Sequence, residues 1–177
     1  MNIRLATEAD RNRLYEICLQ TAHRGEDATE SYVDPNLPGQ IWVGPYLTFE
    51  PEFSFVVVDS HDLSIGYCIA TKETKSFDVW ADREWWPKVD FNPTTSPSEI
   101  LGEYPSHGHI NLLPEARGEG FGRKLISTVE DSLRESGSPG IHMRVDGANQ
   151  SAISFYQNVG YSIIKELPGE IIVAKKL

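Results

Sequence analysis

Apolar residues recur along the chain in two rhythms, and the alternation between them predicts an order of elements. Ile3 and Leu5 alternate with polar neighbours as in a strand, and Thr7 is placed to cap a helix in which Leu14, Ile17, Cys18 and Thr21 return at helical spacing. Residues 22–50 mix charge with Pro35, Pro38, Pro45 and several glycines, which predicts loops with one short helix. Phe53 to Asp59 and Ile65 to Lys72 are apolar runs separated by Ser60-His61-Asp62, the pattern of an antiparallel hairpin. A short helix over 77–86 comes next. Pro87, Pro93, Pro97 and Pro105 then make 87–106 a long irregular connection, and loops of that length commonly act as lids or binding loops. Trp80, Trp85 and Trp86 either line a pocket there or anchor the segment to the core.

From His107 the pattern is more regular. It predicts a strand over 107–113, a helix over 118–136, a strand over 140–145, a helix over 149–159, and strands over 161–166 and 170–176 that turn at Pro168-Gly169. Phe121, Leu125, Val129 and Leu133 repeat every four residues and form one buried stripe. Ile141, Met143 and Val145 face one way, His142 and Arg144 the other. The expected architecture is α/β, a mixed sheet flanked by helices in a single domain over 1–177, a length that suffices for a real core.

The segment Arg117 to Gly122 reads R-G-E-G-F-G and lies between an apolar strand, Ile110 to Leu113, and an amphipathic helix. A strand that turns through glycines into a helix offers several unpaired backbone N–H groups, at the positive end of the helix dipole, to one point in space. That point suits a phosphate. Gly120 and Gly122 bring no Cβ, so the chain can turn tightly and a ligand can approach closely. Two better-known cradles are excluded, because Arg123 stands where a Rossmann fingerprint needs its third glycine and no G-K-S/T follows for a P-loop. A nucleotide-binding reading also lacks any motif for Mg²⁺ or ribose.

Twenty-seven residues after Gly122 comes N-x-x-A-x-x-F-Y-x-x-x-G-Y, formed by Asn149, Ala152, Phe155, Tyr156, Gly160 and Tyr161. Together with R-x-x-G-x-G it resembles the GNAT superfamily of acetyl-CoA-dependent N-acetyltransferases, strongly over 107–177 and more loosely over Ile3 to Asp10. Tyr104 to His107 (Y-P-S-H), Asn111-Leu112 and the Trp-rich middle are similar, more narrowly, to bacterial relatives of the acetyltransferase-like C-terminal domain of O-GlcNAcase. The resemblance implies a mostly antiparallel sheet, acetyl-CoA as cofactor, residues 107–177 as the cofactor part and 1–106 as the acceptor side.

It also implies roles residue by residue. The cofactor would lie against Leu112, Arg117, Gly118, Glu119, Gly120, Phe121, Gly122, Arg123, Lys124, Asn149, Ala152, Phe155 and Tyr156. The Leu112 N–H would meet the charge that develops on the attacked carbonyl, and Tyr156 would protonate the leaving thiolate. From its residue type alone, Tyr156 reads rather as an amphipathic core tyrosine beside Phe155. Asn149 would cap its helix and also bond the pantetheine arm. For the base, His107 and His109 share one face of a strand, and an imidazole is a natural proton acceptor near neutrality. His109 is the first choice, with His107, Glu103 and Glu73 as alternatives. A metal pair is disfavoured because no third ligand is near in sequence.

Charge adds the acceptor class. The formal net charge is −10, and the whole excess lies in residues 1–106. Glu26, Asp27, Glu30 and Asp34 cluster in the expected rim loop, which favours a cationic amine acceptor and disfavours nucleic acid or an anionic membrane. Acidity for solubility alone explains the excess equally well. No run of about 18 apolar residues predicts a membrane span. Met1-Asn2-Ile3-Arg4 enters a strand pattern without the regions of a signal peptide, so the expectation is a cytoplasmic protein, monomer or homodimer. Cys18 and Cys68 read as buried free thiols. The competing function is a non-catalytic acetyltransferase-like module that binds coenzyme A or a protein. The glycine loop together with Asn149 and Tyr156 argues for the enzyme.

Overall fold

The computed structural model describes residues 1–89, 91 and 93–177. The elements are β1 (Asn2–Leu5), α1 (Arg11–Leu19), α2 (Leu37–Trp42), α3 (Gly44–Phe49), β2 (Ser54–Val58), β3 (Ser64–Thr71) and α4 (Thr74–Glu84). They continue as α5 (Trp86–Val89), β4 (Ser106–Leu112), α6 (Phe121–Glu135), β5 (Gly140–Asp146), α7 (Gln150–Asn158), β6 (Ser162–Leu167) and β7 (Glu170–Lys176). Seven strands form one sheet in the order β1-β2-β3-β4-β5-β7-β6. Every neighbouring pair is antiparallel except β4 and β5.

The interior strand β3 is buried at every residue because helices pack on both of its faces. Alternation decides which side chain meets which helix. Asn111 of β4, opposite Tyr67, donates from Nδ2 to Thr21 Oγ1 at the end of α1. Leu112, opposite Gly66, instead lies against Gly122 of α6. The α6 stripe is Leu125, Ile126, Val129 and Leu133, all fully buried. Phe121, expected in that stripe, is only partly covered and sits at its rim with Lys124 Nζ 4.9 Å above its ring.

At the chain entry, Thr7 and Asp10 close a reciprocal capping box ahead of α1. The buried Asp10 carboxylate accepts from Arg4 Nη1 and Nη2 at 2.8 and 2.9 Å, from Thr7 N and Oγ1, and from Ser64 Oγ, tying β1, α1 and β3 together. Burial alone would raise this carboxyl, but the bonds to Arg4, Thr7 and Ser64 hold it well below the usual carboxylate range.

Several expected boundaries move, each for a local reason. Residues 22–50 hold two short helices in place of one. Pro38 and Pro45 each fall in a first helical turn, where a missing N–H costs nothing. Helix α4 starts at Thr74, three residues before the predicted start, because Thr74 N and Oγ1 both donate to Pro105 O at 2.8 and 2.6 Å. It ends at Glu84, and α5 takes up Trp86. Helix α6 starts at Phe121 rather than 118, because Gly118 and Gly120 are left-handed at φ 82° and 80°.

Trp85 and Trp86 anchor their segment. The Trp85 indole donates to Gln40 O at 2.8 Å, and Trp86 is buried. Trp80 stacks on Phe49 and lines a surface hollow of about 520 Å³ with it and Val79. Cys18 and Cys68 are buried free thiols, and burial pushes Cys18 up to about 12. Among the described residues, no helix is long and apolar enough to cross a membrane.

Candidate active site

The site begins with an interrupted strand pair. β4 and β5 are paired only at Ser106↔Ile141 and His107↔His142, yet β4 continues to Leu112 and β5 to Asp146. The sheet therefore opens as a wedge toward the C-terminal ends of these two strands. Leu113 N donates to Ile65 O of β3 at 3.0 Å. Strand alternation then turns the Leu112 N–H the other way, toward the open edge.

At the mouth of the wedge stands the glycine loop. Gly120 is the N-cap of α6, and among the described residues no side chain bonds back to the helix N–H groups there. No acidic residue occupies the first turn, so the positive end of a 15-residue helix is left unneutralised. A Cβ built at Gly118 or Gly120 would meet nothing within 4 Å, so the loop borders open space. Free N–H groups, an unopposed dipole and room for close approach fit a phosphate.

Gly122 has a packing role beside the one its spacing suggests. It lies inside α6 and is buried, and a Cβ there would come within 3.0 Å of Leu112 Cδ1 and 3.2 Å of Phe155 Cε2. It is glycine so that β4, α6 and α7 can meet. Its neighbours Arg123 and Lys124 are exposed. Arg123 Nη2 donates to Asn158 O at the end of α7, so its guanidinium is engaged by the protein. Arg117 is exposed but likewise engaged, with Nε donating to Leu112 O at 2.9 Å and Nη2 to Gly25 O at 2.6 Å. Glu119 is exposed in the loop.

Helix α7 supplies the second wall. Asn149 caps it, Oδ1 accepting from Ala152 N at 3.0 Å. Phe155 and Ala152 are partly buried and pack on the core, and Tyr156 is buried between the rings of Phe155 and Tyr161 at 5.4 and 5.3 Å. Burial pushes the Tyr156 phenol well above its ordinary value, so it is protonated at neutral pH. The fully enclosed, unpartnered side-chain oxygens among the described residues are Ser54 Oγ, Tyr67 Oη, Tyr161 Oη and Glu130 Oε1. The Tyr156 hydroxyl is not one of them.

The four base candidates separate by position. At about 3.3 Å per residue, His109 lies about 10 Å and His107 about 17 Å from Leu112 along β4. His107 is also committed. Thr74 Oγ1 donates to Pro105 O and so accepts from His107 Nδ1 at 2.8 Å, while Tyr46, Phe77 and His142 surround the ring. Burial pushes His107 well below its ordinary value, with the His142 and Arg144 charges adding to the effect. His109 stands beside Tyr67 at 6.0 Å, and burial pushes it down to about 4, so it is a neutral acceptor at pH 7. Glu103 precedes β4 and pairs with Lys176 at 2.8 Å on the surface. Glu73 lies at the start of α4, beyond the far end of β4.

One carboxylate escapes the motifs. Asp78 is half-buried on the inward face of α4, one turn from Thr74 and from Ala81, and it makes no hydrogen bond or ion pair among the described residues. Burial pushes it up to about 6, with Asp82 adding to the rise and Arg144 opposing it. Arg144 itself is engaged by Glu170 and by the carbonyls of Thr94 and Thr95. The helical spacing Thr74, Asp78, Ala81, Trp85 carries this signal in the sequence, once α4 is known to begin at Thr74. Of the rim acids, Asp27 and Asp34 cap local turns, and all four are exposed.

Comparison with known proteins agrees with this geometry. Residues 25–161 match the Acetyltransferase (GNAT) family. A solved structure described as SsHAT is 29% identical and superposes with a TM-score of 0.90, over 99% of this chain and 97% of that one. The PaiA N-acetyltransferase from Thermoplasma acidophilum, solved in complex with coenzyme A, shares the fold with 14% identity and a TM-score of 0.63, over 99% and 98% of the two chains. A mycothiol acetyltransferase of Paenarthrobacter aurescens is 23% identical over 76% of this chain and 46% of its own length. The chain spans less than half the length of the mycothiol acetyltransferases it matches. With a splayed β4/β5 pair, a glycine loop at the start of α6 and a capped tyrosine helix behind it, and with the family match across most of its length, this chain belongs to the GNAT acetyltransferase family.

Proposed function

We propose that the chain is an acetyl-CoA-dependent N-acetyltransferase that acts on a primary amine of a cationic acceptor, by direct attack in a ternary complex. The observation that carries the reading is the meeting of Leu112, Gly122 and Phe155 at the mouth of the wedge, which brings β4, the anion-binding loop and the tyrosine helix to one place. Acetyl-CoA supplies an activated thioester. The backbone of Gly118 to Lys124 holds its pyrophosphate, and Asn149, Ala152 and Phe155 flank its arm.

An amine with an ordinary pKa of about 10.4 is neutral in only one molecule in a few thousand at pH 7, a handicap of about 4.6 kcal/mol. His109, neutral at pH 7, passes the ammonium proton on toward solvent rather than keeping it, and its separation from Leu112 calls for an intervening water. The Leu112 N–H, fixed by the β3 ladder, meets the developing negative charge without reorganising. Tyr156 then donates its proton to the departing sulfur, and the proton that the attacking nitrogen loses as the amide forms restores the phenol.

Residues 1–106 form the acceptor side, where Asp78 and the rim acids Glu26, Asp27, Glu30 and Asp34 favour a cation. The narrower likeness to the acetyltransferase-like domain of O-GlcNAcase belongs to the same reading and rests on Tyr104 to His107, Asn111-Leu112 and the tryptophans of α4 and α5. The test is acetyl-CoA turnover over a panel of cationic, neutral and anionic amines. Thiol release dependent on a cationic amine supports the reading, and coenzyme A binding without turnover on any amine removes the catalytic part.

A further inference from the structure

The turn between α1 and α2 is tied to both sides of the wedge. Its corner is narrow, with His23 N donating to Glu26 O at 3.1 Å and Glu26 N donating back to His23 O at 2.9 Å. On the β4 side, Gly25 O accepts from Arg117 Nη2 at 2.6 Å, while Arg117 Nε holds Leu112 O. On the β5 side, Arg24 Nε donates to Asp146 Oδ2 at 2.9 Å. Asp146 is the last residue of β5, and its backbone O accepts from Asn149, the cap of α7. The turn thus runs from the end of one splayed strand to the end of the other.

Two features show that this strap is held rather than packed. Arg24 has φ 55°, a left-handed conformation that costs a non-glycine residue free energy and persists only when the surroundings demand it. Both partners of the ion pair are about half exposed, 50% and 45%, so the contact is weak and salt-sensitive. The Arg24 guanidinium nevertheless holds the Asp146 carboxyl below its usual range.

We propose that the His23–Glu26 turn is a latch across the wedge, closed by Arg24 and Asp146, through which coenzyme A must pass on entry and on release. This rests on the reading above that the wedge takes the pantetheine arm. Arg24 and Asp146 are then positioning residues that set the rates of cofactor exchange. Neither takes part in the chemistry. A latch has a kinetic signature that a direct cofactor contact lacks. Weakening it speeds association and dissociation by the same factor and leaves Kd unchanged.

The experiment is stopped-flow binding of coenzyme A to the full chain, with wild type, Arg24→Ala, Arg24→Lys and Asp146→Asn. The asparagine keeps an oxygen that can accept from Ala148 N, so the start of the α7 turn is preserved. Arg24→Ala and Asp146→Asn are expected to raise both rates about two- to fivefold, the range of an exposed ion pair. Arg24→Lys should recover most of the change, and salt should speed the wild type but not the two neutralised variants. Unchanged rates in both variants would overturn the latch while leaving the cofactor site intact, and so would a change in Kd with an unchanged association rate. Absence of coenzyme A binding to the wild type would overturn the functional reading beneath it.

Discussion

Gly120 and Gly122 look alike in the sequence and differ in the structure, and an alanine at each separates loop chemistry from packing. At Gly122 the new methyl would stand 3.0 Å from Leu112 Cδ1 and 3.2 Å from Phe155 Cε2. Overpacking of this kind costs about 1–3 kcal/mol, partly offset by the roughly 1 kcal/mol that alanine gains over glycine inside a helix. The net cost is about 0–2 kcal/mol, which lowers Tm by up to about 8 °C in a chain of this size. At Gly120 no atom lies within 4 Å of the methyl, but the backbone at φ 80° costs an alanine about 1–2 kcal/mol. That methyl also points into the space proposed for the pyrophosphate. Thermal melts and coenzyme A titrations of both variants should show similar losses of Tm, with affinity falling at least about tenfold for Gly120→Ala and about threefold or less for Gly122→Ala. Equal loss of affinity, with Tm unchanged in Gly122→Ala, would show that Gly122 faces the ligand, as its spacing first suggested.

Tyr156→Phe keeps the ring between Phe155 and Tyr161 and should lower kcat about 10²- to 10⁴-fold with Tm and coenzyme A affinity preserved; an unchanged kcat would make Tyr156 a core residue only. Because burial lowers His109 to about 4, the unfolded chain takes up its proton first. The stability from burying the neutral ring is therefore full above pH 6.5 and is lost as pH falls toward 4, by about 3 kcal/mol. His109→Gln should flatten that part of the stability profile, and wild-type kcat should show no break near pH 6.5. A break there would give the base another identity. Asp78→Asn should raise KM several-fold for cationic acceptors and leave neutral ones and coenzyme A affinity unchanged, and an equal effect on neutral amines would return Asp78 to a local structural role.

The C-terminal half was legible because its signals are local and redundant. The Leu125, Val129, Leu133 spacing, the alternation in 140–145 and the Asn149 cap each specify an element without outside help. The middle of the chain was less so. Helix α4 starts where it does because Thr74 reaches Pro105, 31 residues away, and no local pattern records that contact. For the same reason Asp78 stayed hidden, since its inward face depends on where the helix begins. The packing of Gly122 against Leu112 and Phe155 was hidden because a glycine that admits a ligand and one that admits a neighbouring leucine leave the same mark in a sequence. The commitment of Arg117 to Gly25, 92 residues away, was equally invisible. His107 and His109 share a strand face in sequence as in structure, but only the Thr74 bond and the end of the β4/β5 pairing tell them apart.

The most direct test of the proposed activity is single-turnover acetyl transfer from acetyl-CoA to a cationic primary amine, followed by the thiol released and by the mass of the acetylated amine. One acetyl amide per thiol, dependent on the amine and reduced at least about a hundredfold in Tyr156→Phe, is the expected result. Thiol release at the same rate without any amine, or no thiol release from a chain that binds coenzyme A, would contradict it.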